Sequence, residues 1–325
     1  MVDESEAIKV LFIGGWGRSG STILERMLGQ IHGFFPVGEI YHIWKRGFDQ
    51  NQLCSCRSPF RQCAFWHAVI EEIFGKGQQP DVSELLSLQH YTTRLRYLPQ
   101  LTFPGLRGGG YEKQFQKYTH ILSQLYAAIK KVSGCKVIVD SSKEPAHGFI
   151  LNAIPTIQLH VVHLIRDSRA VAYSWQRKKR RPEVYWKNEY MPRYSPIKSA
   201  VEWNLRNQTA GLLSRFCKCS VRESYENLVE SPQCTLSRII KDFQHPQNNL
   251  DFLKDRVVKL DTHHTLSGNP NRFETGEIEL FADTEWSKKM NTWAYFAVTA
   301  LTWPLLLTYG YSLRRFEPTV GAAAS

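Results

Sequence analysis

Three stretches of the chain are apolar with little alternation, and each stops abruptly at glycine or polar residues. Val10-Leu11-Phe12-Ile13, Lys136-Val137-Ile138-Val139-Asp140 and Ile157 to Ile165 read as strands covered on both faces, the pattern of a parallel sheet. Behind the first run, Ser21-Thr22-Ile23-Leu24-Glu25-Arg26-Met27-Leu28 has helical apolar spacing, and Ala170 to Trp175 continues as a helix behind the third. Further helices are predicted over about 198–215 and 231–243, with a short strand through Val221 that ends at Tyr225-Glu226. His32 to Glu39 reads as a turn and a short extended piece. Residues 40–75 read as short helices interrupted by a cysteine segment, and 81–132 as two helical stretches either side of the flexible loop Phe103 to Gly110. Strands alternating with helices predict an α/β fold with a central parallel sheet flanked by helices. There is no internal repeat and no linker that divides the chain. A single domain over 1–325 is therefore expected, with a helical insertion at about 40–132 and a disordered start at about 1–7.

The first strand organises the rest. After Ile13 come Gly14, Gly15 and Gly17, then Arg18-Ser19-Gly20-Ser21-Thr22 at the entry to the helix. A strand that turns through glycines into a helix N-terminus aims unpaired backbone N–H groups and a positive dipole end at one point, an anion cradle. From Gly15 to Gly20 the spacing fits Gly-x-x-x-x-Gly-Lys-Ser/Thr, except that Ser21 occupies the lysine slot and Arg18 is the loop's cation. That departure removes the partner of a β/γ-phosphate and its Mg²⁺, so the loop suits a shorter anionic group. The plain alternative is a glycine-rich turn with no ligand.

Polar groups gather where the other strands end. Asp140 runs into Ser141-Ser142-Lys143-Glu144-Pro145, and Ile165 runs into Arg166-Asp167-Ser168-Arg169. Ligands of parallel sheets sit at the strands' C-terminal ends, so Thr22, Lys143 and Arg166 point to one crevice. Arg166 and Ser174 lie a strand end and two helical turns apart, placed to hold a second phosphate; a helix-capping ion pair of Arg166 with Asp167 is the competing reading.

Composition is that of an ordinary globular chain, and 325 residues can bury a substantial core. The net charge of +11 favours anionic ligands, and Arg177-Lys178-Lys179-Arg180-Arg181 concentrates it. That run is either a solvated helix end, a targeting signal, or, with Trp175, Tyr185 and Trp186 around it, a rim for an acidic or sugar-like substrate. No helix-turn-helix, zinc-finger or RNA-binding signature is present, so no nucleic-acid partner is expected. The acidic start, Met1 to Glu6, is not a signal peptide. Asn291 to Leu313 carries no charge but holds Pro304, Gly310 and several aromatics, and reads as a core helix rather than a membrane span. A soluble, cytoplasmic protein is expected. The seven cysteines would be reduced there. Cys54, Cys56 and Cys63 lack the paired spacing of a zinc site, although His67 follows Cys63 by four residues; a local disulfide or thiol cluster is the simpler reading, and no metal is expected.

Gly17-Arg18-Ser19-Gly20-Ser21-Thr22 resembles the 5′-phosphosulfate loop of sulfotransferases that use 3′-phosphoadenosine 5′-phosphosulfate (PAPS). Val161 to Ser174, with Arg166 and Ser174, is similar to that family's 3′-phosphate site, and Tyr225-Glu226-Asn227-Leu228 resembles its Tyr-Glu-Asp-Leu element. The resemblance runs from about Lys9 to Tyr309-Gly310-Tyr311 and implies the P-loop-like sulfotransferase fold. Local parallels are with tyrosylprotein and carbohydrate enzymes. Gly38-Glu39 is similar to their Gly-Glu, which implies Glu39 as the catalytic glutamate, though Ile40 stands where the tyrosyl enzymes have a second acid. Ser142-Lys143-Glu144-Pro145 is similar to their Asn-Lys-Asp-Pro, which implies Lys143 on the sulfate, and Arg18 matches the loop cation near the bridging oxygen. The family's C-terminal Arg-Lys-Gly loop has no match; the segment His263 to Arg272, with Gly268 and Arg272, is assigned its work.

The resemblance thus implies sulfuryl transfer from PAPS, without a metal, to a hydroxyl of a carbohydrate, glycolipid or small molecule. Glu39 takes the proton, Arg18 and Lys143 stabilise charge, and Gly17, Arg18, Ser19, Gly20, Ser21, Thr22, Arg166, Ser174, Tyr225, Gly268 and Arg272 bind the donor. Two rivals remain: a P-loop kinase or NTPase, and a non-catalytic nucleotide- or polyanion-binding module. The acceptor's identity and the oligomeric state are not encoded in any of these motifs.

Overall fold

The computed structural model describes residues 7–243 and 249–314. Of the expected disordered start, all but Ala7 lies outside these residues. The parallel strands are β1 (Ile8–Gly15), β2 (Phe34–Gly38), β3 (Val137–Asp140), β4 (Ile157–Ile165) and β5 (Cys219–Ser224). Among the described residues they form one five-stranded sheet in the order β2-β3-β1-β4-β5, with every pairing parallel. The helices follow in chain order: α1 (Ser21–Leu28), α2 (Ala64–Phe74), α3 (Val82–Thr92), α4 (Leu98–Thr102), α5 (Gly109–Ser133), α6 (Pro145–Asn152), α7 (Ser168–Gln176), α8 (Pro196–Leu213), α9 (Tyr225–Glu230), α10 (Pro232–Ile240), α11 (Glu285–Lys289) and α12 (Thr292–Thr308).

The unbroken apolar runs have a direct cause. Successive side chains of a strand point to opposite faces, and both faces here are covered. Val10 and Phe12 join Ile138, Val161 and Phe149 on the side of α5 and α6. Leu11 and Ile13 join Leu24, Met27, Val139, Val162 and Leu236 on the side of α1 and α10. Each such side chain contributes roughly 1.5–3 kcal/mol on burial. With β1 central and its neighbours leaving to opposite sides, the crevice above β3, β1 and β4 is the switch point where ligands of this architecture bind.

Three differences from the sequence reading matter. Leu253–Lys254, Val257–Leu260 and Gly276–Glu279 form a small antiparallel sheet, β6-β7-β8, that the pattern did not predict. The strand expected to end at Tyr225-Glu226 stops at Ser224, because the Ser224 hydroxyl accepts the Asn227 N–H at 3.0 Å and caps α9. The segment after Glu39 contains a π-helical turn, Ile43–Asp49, a rare winding that is frequent at functional sites. The uncharged C-terminal stretch is α12, which buries Ala294, Tyr295, Val298, Thr302 and Leu306. Among the described residues no helix is long and apolar enough to cross a membrane.

Candidate active site

The glycine loop closes β1 onto α1 in a fixed shape. Gly20 has φ 84°, and a Cβ there would lie 2.5 Å from the Tyr225 ring, so the turn requires glycine. Arg18 also adopts a positive φ, 72°. Its guanidinium lies 4.8 Å from the Trp175 ring centroid and donates to Met191 Sδ at 3.1 Å. Burial, the largest effect, pulls its pKa down to about 10, with Arg177 and Arg166 adding to the shift against Glu39. Arg18 Nε and Nη1, Ser19 Oγ and Arg166 Nε are buried without a hydrogen-bond partner among the described residues. Buried donors left open in this way each cost on the order of 1–3 kcal/mol until a ligand satisfies them.

Arg166, at the end of β4, donates from Nη1 to the Arg18 carbonyl and from Nη2 to the Asp283 carbonyl, both at 3.1 Å. Its guanidinium lies 4.3 Å from the Tyr225 ring centroid. It does not pair with Asp167, whose carboxylate is held by Arg169 at 2.6 Å. The competing ion-pair reading of Arg166 therefore falls to Arg169 instead.

On the other side of the loop, β2 ends at Gly38 and delivers Glu39. Lys143, held with φ 61° just past β3, donates from Nζ to Glu39 Oε1 at 2.7 Å and to the Ser141 carbonyl at 2.6 Å. Ser267 Oγ donates to Glu39 Oε2 at 2.8 Å, and Arg46 Nη1 stands 3.4 Å from the same oxygen. Burial pushes the Glu39 pKa up, but Lys143 and Arg46 outweigh it, joined by His42 only where that imidazole is protonated, and hold the carboxyl well below the usual carboxylate range. His42 is kept neutral: burial and Arg46 pull it down to about 3.

These groups share one cavity of about 590 Å³. Of the residues predicted from sequence, Gly17, Arg18, Gly20, Ser21, Thr22, Glu39, Lys143, Arg166, Ser174, Tyr225 and Gly268 line it. Ser19 and Arg272 do not. Arg272 is buried with its guanidinium on the carbonyls of Thr265 and Leu53, at 2.6 and 2.8 Å, where it ties the 263–272 segment to the cysteine segment. That segment still reaches the cradle, because the Asn269 N–H donates to Thr22 Oγ1 at 3.3 Å.

Sequence reasoning missed Arg46, His42 and Ser267 around Glu39. Arg46 lies seven residues beyond Glu39, across an irregular winding that ordinary helical spacing does not describe, and Ser267 comes from 228 residues away, beyond the reach of any local spacing. The basic run divides between wall and surface: Arg177, Lys179 and Arg181 line the cavity with Trp175 and Met191, Lys178 and Arg180 are exposed, and Tyr185 and Trp186 do not line it.

Residues 11–248 match the family model described as "Sulfotransferase family". No curated protein sequence matches the chain. Among solved structures, the chain is similar to the sulfotransferase domain from the curacin biosynthetic pathway, over 94% of this chain and 99% of that one, at 15% identity and a TM-score of 0.47. It is also similar to sulfotransferase STF9 from Mycobacterium avium, over 94% of this chain and 78% of that one, at 11% identity and a TM-score of 0.46.

Proposed function

This chain belongs to the sulfotransferase family, and from that premise we propose that it transfers a sulfuryl group from PAPS to a hydroxyl of a carbohydrate, glycolipid or small-molecule acceptor. The observation that carries the reading is the set of buried, unpartnered donors on Arg18 and Arg166, in a cavity that also holds the Glu39–Lys143 pair. Those open donors fit a ligand with two separated anionic groups. The loop 17–22 would hold the 5′ end, and Arg166, whose guanidinium lies against the Tyr225 ring, would hold the 3′-phosphate with Ser174. PAPS, when bound, supplies the activated sulfuryl group and the 3′-phosphate that sets it apart from ADP.

The remaining chemistry belongs to the chain. Glu39 is already ionised, so it is available to accept the proton of an acceptor hydroxyl. The cations that keep it ionised also weaken it as a base, and Lys143 is the one we also assign to the sulfuryl oxygens. Release of Lys143 from Glu39 would raise the basicity of the carboxylate and free a cation for developing charge in one movement. Arg46 and Ser267 hold the carboxylate in place meanwhile. We assign the acceptor side to His42 and Arg46 from the 40–132 segment, with Met191 and Tyr194 opposite, within a single sulfotransferase domain. Arg177 pairs with Asp283 and Glu285, and Arg181 with Glu183 and Glu189, so the basic run is engaged with acids of the fold and we do not assign it a nucleic-acid partner.

Calorimetric titration with adenosine 3′,5′-bisphosphate, ADP and ATP, on wild type, Arg166→Ala and Glu39→Gln, tests this. We expect the bisphosphate to bind at least tenfold more tightly than ADP, with that preference lost in Arg166→Ala. Glu39→Gln should bind it normally while kcat for sulfuryl transfer falls by about 10²–10⁴-fold, the usual contribution of a general base. ATP binding as tight as the bisphosphate's, strengthened by Mg²⁺, would overturn the reading in favour of a kinase or NTPase.

A further inference from the structure

Behind the loop that presents Ser267 to Glu39, four side chains converge: Cys54, Cys56, Cys63 and His264. Their ligand atoms all lie within 4.8 Å of one another. Cys63 Sγ is 3.2 Å from His264 Nδ1 and 3.6 Å from Cys56 Sγ, and Cys54 Sγ is 3.9 Å from the same imidazole nitrogen. Ligands at the usual Zn–S and Zn–N distances around a tetrahedral zinc stand roughly 3.5–3.8 Å apart, so the four are at coordinating spacing. Three thiols and an imidazole are a soft donor set that selects zinc over magnesium or calcium.

The surroundings are built to hold the ligands. Cys54 and Cys56 sit in a tight turn closed by the Cys54 N–H on the Ser58 carbonyl, 2.9 Å, and the Arg57 N–H on the Cys54 carbonyl, 2.8 Å. Arg57 takes the positive φ of 69° that the turn needs. The Phe65 ring stacks on the His264 imidazole at 5.4 Å, and Trp66 Nε1 donates to the His264 carbonyl at 3.0 Å. Such outer contacts orient metal ligands. Spacing in the sequence argued against a zinc site because the fourth donor lies 201 positions beyond Cys63. His67, the histidine that spacing singled out, instead faces Glu71 at 3.6 Å.

We propose that Cys54, Cys56, Cys63 and His264 form a structural zinc site that clamps the 263–268 segment to the cysteine turn. Four protein ligands leave no open position, which is the structural rather than the catalytic arrangement. Binding releases the thiol protons to solvent. The clamp has a clear mechanical target. Two residues past His264, the Leu266 N–H donates to the Val37 carbonyl at 2.8 Å and its carbonyl accepts the Glu39 N–H at 2.7 Å; the next residue is Ser267. The proposal does not depend on which reaction the cavity performs.

The test is metal content. Wild-type protein purified without chelators is examined by native mass spectrometry and elemental analysis, alongside His264→Ala, His264→Cys and His67→Ala. We expect one zinc per chain in the wild type, retained in His67→Ala and His264→Cys and lost in His264→Ala. Replacement by Co²⁺ should give the intense visible bands of tetrahedral thiolate coordination. A wild-type chain that carries no zinc and takes up none when Zn²⁺ is added under reducing conditions would overturn the site. So would a metal-free wild type whose mass shows Cys56 and Cys63 joined as a disulfide. Each readout is independent of sulfuryl transfer, so failure here leaves the transferase reading standing.

Discussion

Two carboxylates flank Gly38 in space, and the protein shifts their pKa values in opposite directions. Glu25 on α1 accepts the Gly38 N–H and the Ser141 hydroxyl, the latter at 2.7 Å, but burial dominates and pushes its pKa from 4.5 up to about 7. Glu39 is also buried, yet Lys143 and Arg46 reverse the effect. The consequences for stability have opposite signs. A carboxyl whose folded pKa is raised binds more protons in the folded chain, so its contribution is complete below about 4.5 and is lost as pH rises through about 7. Glu39 contributes stability above its unfolded pKa that disappears only as pH falls beneath the ordinary carboxylate range. Between about pH 5 and 8, therefore, only Glu25 of the pair weakens the fold, by on the order of 3 kcal/mol over the whole window. Glu25→Gln keeps the Gly38 N–H bond on its amide oxygen, reverses the bond with the Ser141 hydroxyl, which then accepts from the amide nitrogen, and removes the titration. Urea melts of wild type and variant at both ends of the window should show a steeper loss with pH in the wild type; parallel slopes would contradict the assignment. Of these residues Glu39 was legible through its Gly-Glu context, while the state of Glu25 depends on enclosure by Gly38 and Ser141 and has no sequence signature.

At the scale of elements, the site depends on strand ends meeting loops that arrive from far along the chain. Gly38 shows the tolerance. It has φ 84°, and a Cβ there would collide with the backbone carbonyl and N–H of Leu266, the residue that pairs with it across the β2 edge. No side-chain rearrangement relieves a clash with backbone. Gly38→Ala should therefore destabilise by more than about 1 kcal/mol, where a glycine replacement at a compatible site would stabilise, and separate Ser267 from Glu39. Gly110→Ala, in the first turn of α5 with nothing within 4 Å of the new atom, should stay within about 1 kcal/mol of wild type. Thermal melts of the two variants check the contrast, and equal shifts would refute it. The same scale explains what could be read in advance. β1, β3 and β4 announced themselves because burial on both faces leaves a continuous apolar run. β7 and β8 did not: they are four residues long and mix Lys259, Glu277 and Glu279 with the apolar positions, because most of their residues face solvent. The fourth zinc ligand was equally hidden, since spacing reports only what the backbone keeps close.

For the whole molecule, part of the positive excess of the chain is turned into the cavity. The basic run 177–181 places Arg177, Lys179 and Arg181 on the cavity wall. Lys178 turns instead to the Tyr190 ring, 4.0 Å away, and Arg180 is exposed. Alternate residues of an extended segment face opposite ways, which is how one charged run serves two environments. Lys179 reports the crowding: burial first, then Arg18 and Arg177, lower its pKa. A cation held at a cost in this way gains when an anion enters, and the gain is less screened by salt than that of an exposed charge because Lys179 is partly buried. Lys179→Ala should weaken binding of adenosine 3′,5′-bisphosphate by about tenfold, the worth of one charged hydrogen bond, at low and high NaCl alike. Arg180→Ala, which removes the same formal charge from the exposed face, should alter binding less than twofold at low salt and not at all once the Debye length falls to several ångströms. If the two variants weaken binding equally and salt erases both effects, the run acts through its net charge, and the inward placement of its odd-numbered residues has no bearing on the ligand.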